Sequence, residues 1–106
     1  MIWNKEFETM ERKRLASMQT GLLQQQVERI YNKNAFYKGK MDAAGIKPSG
    51  IKSIEDIEKL PFITKSEMRD VYPYGLLSCD VNDIVEIHTS SGTTGKPVVD
   101  AYNQKD

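Results

Sequence analysis

The stretch His88-Thr89-Ser90-Ser91-Gly92-Thr93-Thr94-Gly95-Lys96-Pro97-Val98-Val99 decides how this chain is read. It sets four hydroxyl side chains, two glycines and a lysine in one bend between two apolar, β-branched runs. Upstream, Ile84, Val85 and Ile87 alternate in part with Glu86 and His88, which predicts a strand. Downstream, Pro97 to Tyr102 predicts a second strand. The expected end of the chain is therefore strand, loop, strand. A lone two-stranded ribbon is marginal in water, so these strands call for neighbours.

Working back from the loop, the preceding residues predict helices. From residue 5 to 33, Trp3, Phe7, Met10, Leu15, Met18, Leu22, Val27 and Ile30 fall near one face of a 3.6-residue period. The spacing predicts one helix with this stripe facing a core, bent or split at Gly21, where glycine costs about 1 kcal/mol relative to alanine. Asn34 is placed to cap a helix from Ala35 to Ala44, and Gly45 to stop it in a left-handed conformation. Ile46-Lys47-Pro48-Ser49-Gly50 is a turn-rich connector. Ser53, with Asp56, is placed to cap a short helix through Lys59 that Leu60-Pro61 ends. Thr64 and Glu67 form a capping box for a helix toward Tyr72, which Pro73 stops. The fold class is α+β: a helical lead-in over 1-80, then strand-loop-strand over 81-106, within one unit 1-106.

Composition narrows the function classes. The chain has 106 residues, 39% hydrophobic and 28% charged, with 15 basic and 15 acidic side chains and zero formal net charge. That balance argues against nucleic acid as a partner, since nucleic-acid binders carry a basic excess. Arg12-Lys13-Arg14 lies beside Glu8 and Glu11 and reads as a solvated helix face. Cys79 is the only cysteine, so no internal disulfide forms and an oxidising compartment is not indicated. No run approaches the roughly 20 apolar residues of a membrane span, and no signal-peptide core opens the chain. A soluble, cytoplasmic protein with no membrane partner is expected. One His and one Cys offer no metal-ligand pair at usable spacing, so no metal-binding residue is assigned.

The loop composition suits a polyphosphate. Backbone N–H groups can reach phosphate oxygens where glycine permits close approach and positive φ. The hydroxyls of Ser90, Ser91, Thr93 and Thr94 add rotatable donors, Lys96 adds a positive charge, and Pro97 fixes φ where the next strand begins. The plainer alternative is a flexible surface loop, open to phosphorylation, but two flanking β-branched runs argue against a slack tether. A Walker A loop does not fit, because Ser90 stands where its first glycine belongs and Pro97 where Ser or Thr should follow the lysine. A serine-hydrolase elbow does not fit either, because neither Ser90 nor Ser91 has glycine on both sides at the required spacing.

At this point a resemblance becomes specific. Ser90-Ser91-Gly92-Thr93-Thr94-Gly95-Lys96-Pro97 is similar to the phosphate-binding signature of the adenylate-forming enzymes, in the phenylacetate-CoA ligase branch. Leu60-Pro61-Phe62-Ile63-Thr64-Lys65, Met68-Arg69-Asp70 and Tyr72-Pro73-Tyr74-Gly75-Leu76 resemble the lead-in of that branch. So do Tyr31, Phe36-Tyr37 and Ala44-Gly45. Many superfamily members carry a basic residue just after the proline, where Val98 stands here, which leaves Lys96 a general phosphate-attracting role.

The resemblance implies an AMP-forming ligase that activates an aryl acid with ATP and passes it to coenzyme A, with Mg²⁺ accompanying the ATP. It implies that Ser90, Ser91, Gly92, Thr93, Thr94, Gly95 and Lys96 hold the β- and γ-phosphates. The similarity covers about the first quarter of such an enzyme. The AMP-gripping motif, the ribose-binding aspartate and the catalytic lysine are expected downstream, so no catalytic residue is assigned here and the piece alone is expected to be inactive. The resemblance also allows a homodimer. His88 is a further candidate for phosphate or acyl contact, with a packed strand histidine as its plainer reading; Tyr72, Tyr74 and Trp3 are expected to serve packing. Two other readings remain at this stage: a noncatalytic helical interaction module pairing through its first helix, and a decayed remnant that folds poorly.

Overall fold

The computed structural model describes residues 1–91 and 95–106. Helices α1 (Lys5–Glu8), α2 (Arg12–Lys33), α3 (Ala35–Ala43) and α4 (Lys65–Asp70) precede strands β1 (Ile84–Thr89) and β2 (Val99–Asn103), with short 3₁₀ turns at Pro48–Gly50, Ile54–Lys59 and Val81–Asp83. The α+β class and the order of helices before strands agree with the sequence. No helix among the described residues is long and apolar enough to cross a membrane.

The expected single helix over 5–33 is two helices, and the break is not at Gly21. At Thr9 the side-chain hydroxyl bonds back to the Lys5 carbonyl, and Glu11 is extended at φ −55°, ψ 138°. A β-branched hydroxyl residue that competes for its own turn's carbonyl favours such an ending. Gly21 lies inside α2 without interrupting it.

The core is assembled around α2. Val27, Met41 and Ile51 are buried together, with Leu23, Tyr31, Tyr37, Ile46 and Leu60 packed against them. The working stripe of α2 is thus Leu23–Val27–Tyr31 at i, i+4, i+8, rotated from the expected Leu22–Val27–Ile30. Leu22 is 57% exposed and Trp3 93% exposed, so the aromatic beginning of the expected stripe packs nothing. Among the described residues, Asn34 is the buried polar side chain, and its role justifies the burial. It ends α2 with its own N–H bonded to the Ile30 carbonyl (2.8 Å), and its side-chain oxygen accepts from the Tyr37 N–H (2.9 Å) to begin α3. Gly45 follows α3 at φ +71°, the expected left-handed stop.

Hydrogen bonds then pin the connector to the helices. Gln24 donates from Nε2 to the Ile51 carbonyl (2.9 Å), and Tyr37 donates from its hydroxyl to the Pro61 carbonyl (2.7 Å). Burial pushes the Tyr37 hydroxyl pKa up. Thr64 and Glu67 form the expected capping box of α4: the Thr64 side chain accepts from the Glu67 N–H, and Glu67 accepts from the Thr64 N–H (both 3.1 Å). The other Glu67 oxygen pairs with Lys40 of α3. The lysine, and secondarily the Thr64 N–H, holds that carboxyl below the usual range. The Tyr72–Pro73 peptide is cis.

Candidate functional site

β1 and β2 form an antiparallel hairpin with Thr89 opposite Val99, His88 opposite Asp100, Ile87 opposite Ala101 and Glu86 opposite Tyr102. One step further the register runs from Ile84 to Asn103, so β1 carries an extra residue, a bulge at Val85. The predicted loop joins the ends of these strands.

The mouth of the loop is closed by a two-bond clasp. The Ser90 N–H donates to the Val98 carbonyl (3.0 Å), and the Val98 N–H donates to the Ser90 hydroxyl oxygen (2.8 Å). The ladder thus extends one pair beyond Thr89 and Val99, with the second bond made by a side chain. Val98 is buried, and the residue expected to start the second strand, Pro97, is half-buried just outside it. A β-branched side chain anchored inside and a serine that locks the opposite strand give the bend a fixed base.

Within the loop, Ser91, Gly95 and Lys96 are exposed. Gly95 has φ +121°, a region that side chains rarely adopt, and an added Cβ there would meet no atom within 4 Å. Glycine is therefore required by backbone conformation rather than by crowding. Among the described residues Lys96 makes no ion pair within 4.0 Å, so its ammonium faces solvent. Of the seven residues assigned to phosphate binding, Gly92, Thr93 and Thr94 lie outside the described residues. The other four divide in two: Ser90 holds the base, and Ser91, Gly95 and Lys96 present groups outward.

His88 departs from its plainer reading. It is an exposed strand residue, not a packed one. Its Nε2 lies 2.7 Å from Glu86 Oε1, and its ring meets Tyr102 edge-on with centroids 5.3 Å apart. With Asp100 opposite, one face of the hairpin carries Glu86, His88, Asp100 and Tyr102, while the other carries Ile87, Ala101 and Val99. Tyr72 and Tyr74 are exposed in the turn after α4. Cys79 is a free, half-buried thiol. Among the described residues no group of three His, Cys, Asp or Glu side chains could hold a metal ion.

The serine clasp was missed from sequence. A hydroxyl residue at the first position after a strand, eight residues before a buried valine, is its only trace, and hydroxyls abound in this loop. Sequence reasoning also missed a cluster on the helical side. There the Tyr31 hydroxyl donates to Asp42 Oδ1 (2.7 Å), and Lys47 Nζ reaches both the Tyr31 hydroxyl (2.8 Å) and Asp42 Oδ1 (2.9 Å). Tyr31, then Lys47, hold the Asp42 carboxyl below its ordinary range, and the Lys47 ammonium is correspondingly raised. This cluster ties α2 to the connector after α3.

Comparison with known proteins gives the arrangement a context. No family model matches the chain. The chain is 38% identical over all 106 residues to phenylacetate-coenzyme A ligase of Thermus thermophilus, of which it spans 24%. It is also 38% identical, over 109 aligned positions, to phenylacetate-coenzyme A ligase of Escherichia coli, of which it spans 25%. Among solved structures, 96% of the chain superposes on 23% of a 2-hydroxyisobutyryl-CoA ligase in complex with 2-HIB-AMP and CoA, at a TM-score of 0.88 and 30% identity. An open conformation of that ligase superposes at 0.85 and 28% identity.

Proposed function

We propose that this chain is the N-terminal part of the large domain of an AMP-forming acyl-CoA ligase acting on an aryl acid of the phenylacetate type. The observation that carries this reading is the agreement along the whole chain: 38% identity from end to end with a phenylacetate-coenzyme A ligase. The superposition on a ligase that holds an acyl-adenylate and CoA supports it from an independent direction.

In this reading the substrate carboxylate attacks the α-phosphorus of ATP. A carboxyl oxygen–phosphorus bond forms, the bond from the α-phosphorus to the bridging oxygen breaks, and pyrophosphate leaves with the electron pair. The acyl carbonyl then takes the sulfur of coenzyme A, whose thiol gives up its proton, and AMP departs. The role of this chain lies with the leaving group. Ser90, Ser91, Gly92, Thr93, Thr94, Gly95 and Lys96 hold the β- and γ-phosphates, and the Ser90–Val98 clasp fixes the frame on which the donors are mounted. Donors preorganised where charge accumulates lower the barrier without reorganising during the step. The described groups fit an anion: an exposed ammonium, an exposed hydroxyl and a glycine whose φ frees its backbone for close approach. Mg²⁺ is expected to accompany the nucleotide.

The test is a chimera in which this chain replaces the aligned segment of the Thermus thermophilus ligase. Exchange of labelled pyrophosphate into ATP, dependent on phenylacetate, is the expected result. The 106-residue chain alone is expected to release no pyrophosphate above buffer. A soluble, folded chimera without exchange would contradict the proposal.

A further inference from the structure

The polar face of the hairpin carries three side chains joined through one ring. His88 is the chain's single histidine and lies two residues before Ser90. Its Nε2 is 2.7 Å from Glu86 Oε1. A carboxylate accepts, so Nε2 carries the hydrogen between them and Glu86 sets the ring's orientation. The same ring meets Tyr102 of β2 edge-on, with centroids 5.3 Å apart and planes at 83°, a favoured aromatic arrangement. His88 is opposed by Asp100 and Glu86 by Tyr102, so His88 and Tyr102 are diagonal neighbours across the ladder. One ring thus ties the two strands, by a hydrogen bond along β1 and an aromatic contact to β2. Its place along the hairpin matters. The regular ladder ends at Glu86 and Tyr102, where the bulge at Val85 begins, and the Ser90–Val98 clasp closes it at the loop. His88 stands midway between those ends.

We propose that His88 is a positioning residue of the phosphate loop, its ring held by Glu86 and Tyr102 so that the strand entering Ser90 and the strand leaving Val98 keep their spacing when an anion binds. The inference rests on the ligase reading given above and adds a residue to its phosphate site. Charge decides against His88 touching the phosphates itself. Glu86 bonds its ring and Asp100 stands opposite, so two carboxylates share its face, and both repel a polyphosphate. A residue in that setting acts on the loop through the strands that carry it. Donors mounted on strands that splay are no longer preorganised, and the loss falls on the ligand they grip. A tie that serves the hairpin's stability alone makes a different forecast: melting shifts while the loop keeps its geometry and its affinity.

The experiment uses His88→Leu, Tyr102→Leu and the double variant, with His88→Phe and Tyr102→Phe to restore a ring at each position. In the isolated chain the amide NMR signals of Ser91, Gly95 and Lys96 are expected to shift in the Leu variants and to return toward their native positions in the Phe variants. In the chimera, at a temperature where each variant stays folded, the KM for pyrophosphate in the exchange reaction is expected to rise about two- to tenfold in the Leu variants. The KM for phenylacetate is expected to stay as it was. The double variant is expected to lose no more than the worse single one, because both substitutions remove the same contact. Unmoved loop signals in the Leu variants would overturn the proposal. So would an unaltered KM for pyrophosphate, or a KM for phenylacetate that rises in step with it, the mark of general damage to the fold. A native chimera without exchange removes the ligase reading, and the loop signals of the isolated chain then decide whether His88 positions the loop.

Discussion

Ser90 and Val98 face each other across the loop mouth and share two hydrogen bonds, one of 3.0 Å between backbones and one of 2.8 Å to the serine hydroxyl. The serine that reads from sequence as one phosphate donor among four also braces the loop mouth, its hydroxyl oxygen accepting from the Val98 N–H. Removing its hydroxyl leaves the Val98 N–H without its partner. Ser90→Ala is expected to cost about 1 kcal/mol in a urea melt of the isolated chain, and Ser90→Thr, which keeps an oxygen there, is expected to cost less. Ser91→Ala, at an exposed position, is expected to change stability by less than about 0.5 kcal/mol.

Gly95 sits at φ +121° with open space around it. Gly95→Ala is expected to destabilise the loop by about 1–3 kcal/mol through backbone strain alone. In the chimera it is expected to raise the KM for ATP several-fold, measured at a temperature where the variant stays folded. An alanine variant with unaltered KM would show that the positive φ has no part in binding.

The hinge between α2 and α3 depends on one buried amide. Asn34→Ala is expected to lose about 1–2 kcal/mol, because the Tyr37 N–H loses its cap. Asn34→Asp, which retains an acceptor, is expected to recover part of that. Far-ultraviolet circular dichroism with thermal melting measures both.

The two candidate stripes of α2 make opposite predictions. Leu23→Ala, packed against the buried cluster of Val27, Met41 and Ile51, is expected to cost about 1–3 kcal/mol. Leu22→Ala, on the exposed side, is expected to cost less than about 0.5 kcal/mol. Reversed magnitudes would mean that the helix packs by its other face.

Acid should weaken the helical part through identifiable carboxylates. Asp56 is held at about 2, first by the Lys52 N–H and then by Lys59; Glu67 and Asp42 are lowered by Lys40 and by Tyr31, respectively, as leading causes. A carboxylate with a depressed folded pKa stabilises above its unfolded value, and that contribution is lost as pH falls through the folded value. The melting temperature is therefore expected to be level above about pH 5 and to fall between about pH 4 and 2. Asp56→Asn should flatten the slope. Lys47, raised, contributes in the opposite sense: its share is complete below the unfolded lysine value and is lost only in strong alkali.

Much of this architecture was legible from sequence, and the reasons are local. Asn34, Gly45, Thr64 and Glu67 act on residues three or four away, so their spacing alone foretells the caps they form. The hairpin was legible because β-branched runs flank a bend rich in hydroxyls and glycine. What failed depended on contacts distant along the chain. Leu22 and Leu23 are adjacent and equally apolar, and only packing against Met41 and Ile51 selects Leu23. Gly21 looked like the weak point of the first helix, yet the break lies at Thr9, where a hydroxyl competes for a carbonyl. His88 was expected to pack, but its face of the hairpin has no covering layer among the described residues. In the candidate site the positive φ of Gly95 was readable from its residue type. The different duty of Ser90 was not, because it is defined by Val98, eight residues on.

The most direct test of the central claim is Lys96→Ala in the chimera, measured by phenylacetate-dependent exchange of pyrophosphate into ATP beside the melting temperature. If Ser90 to Lys96 cradle the departing phosphates, exchange is expected to fall at least about tenfold, the loss of one charge-assisted contact of about 1.5–3 kcal/mol, with melting unchanged because Lys96 is exposed. Exchange at the unaltered rate and unaltered pyrophosphate affinity would contradict the account.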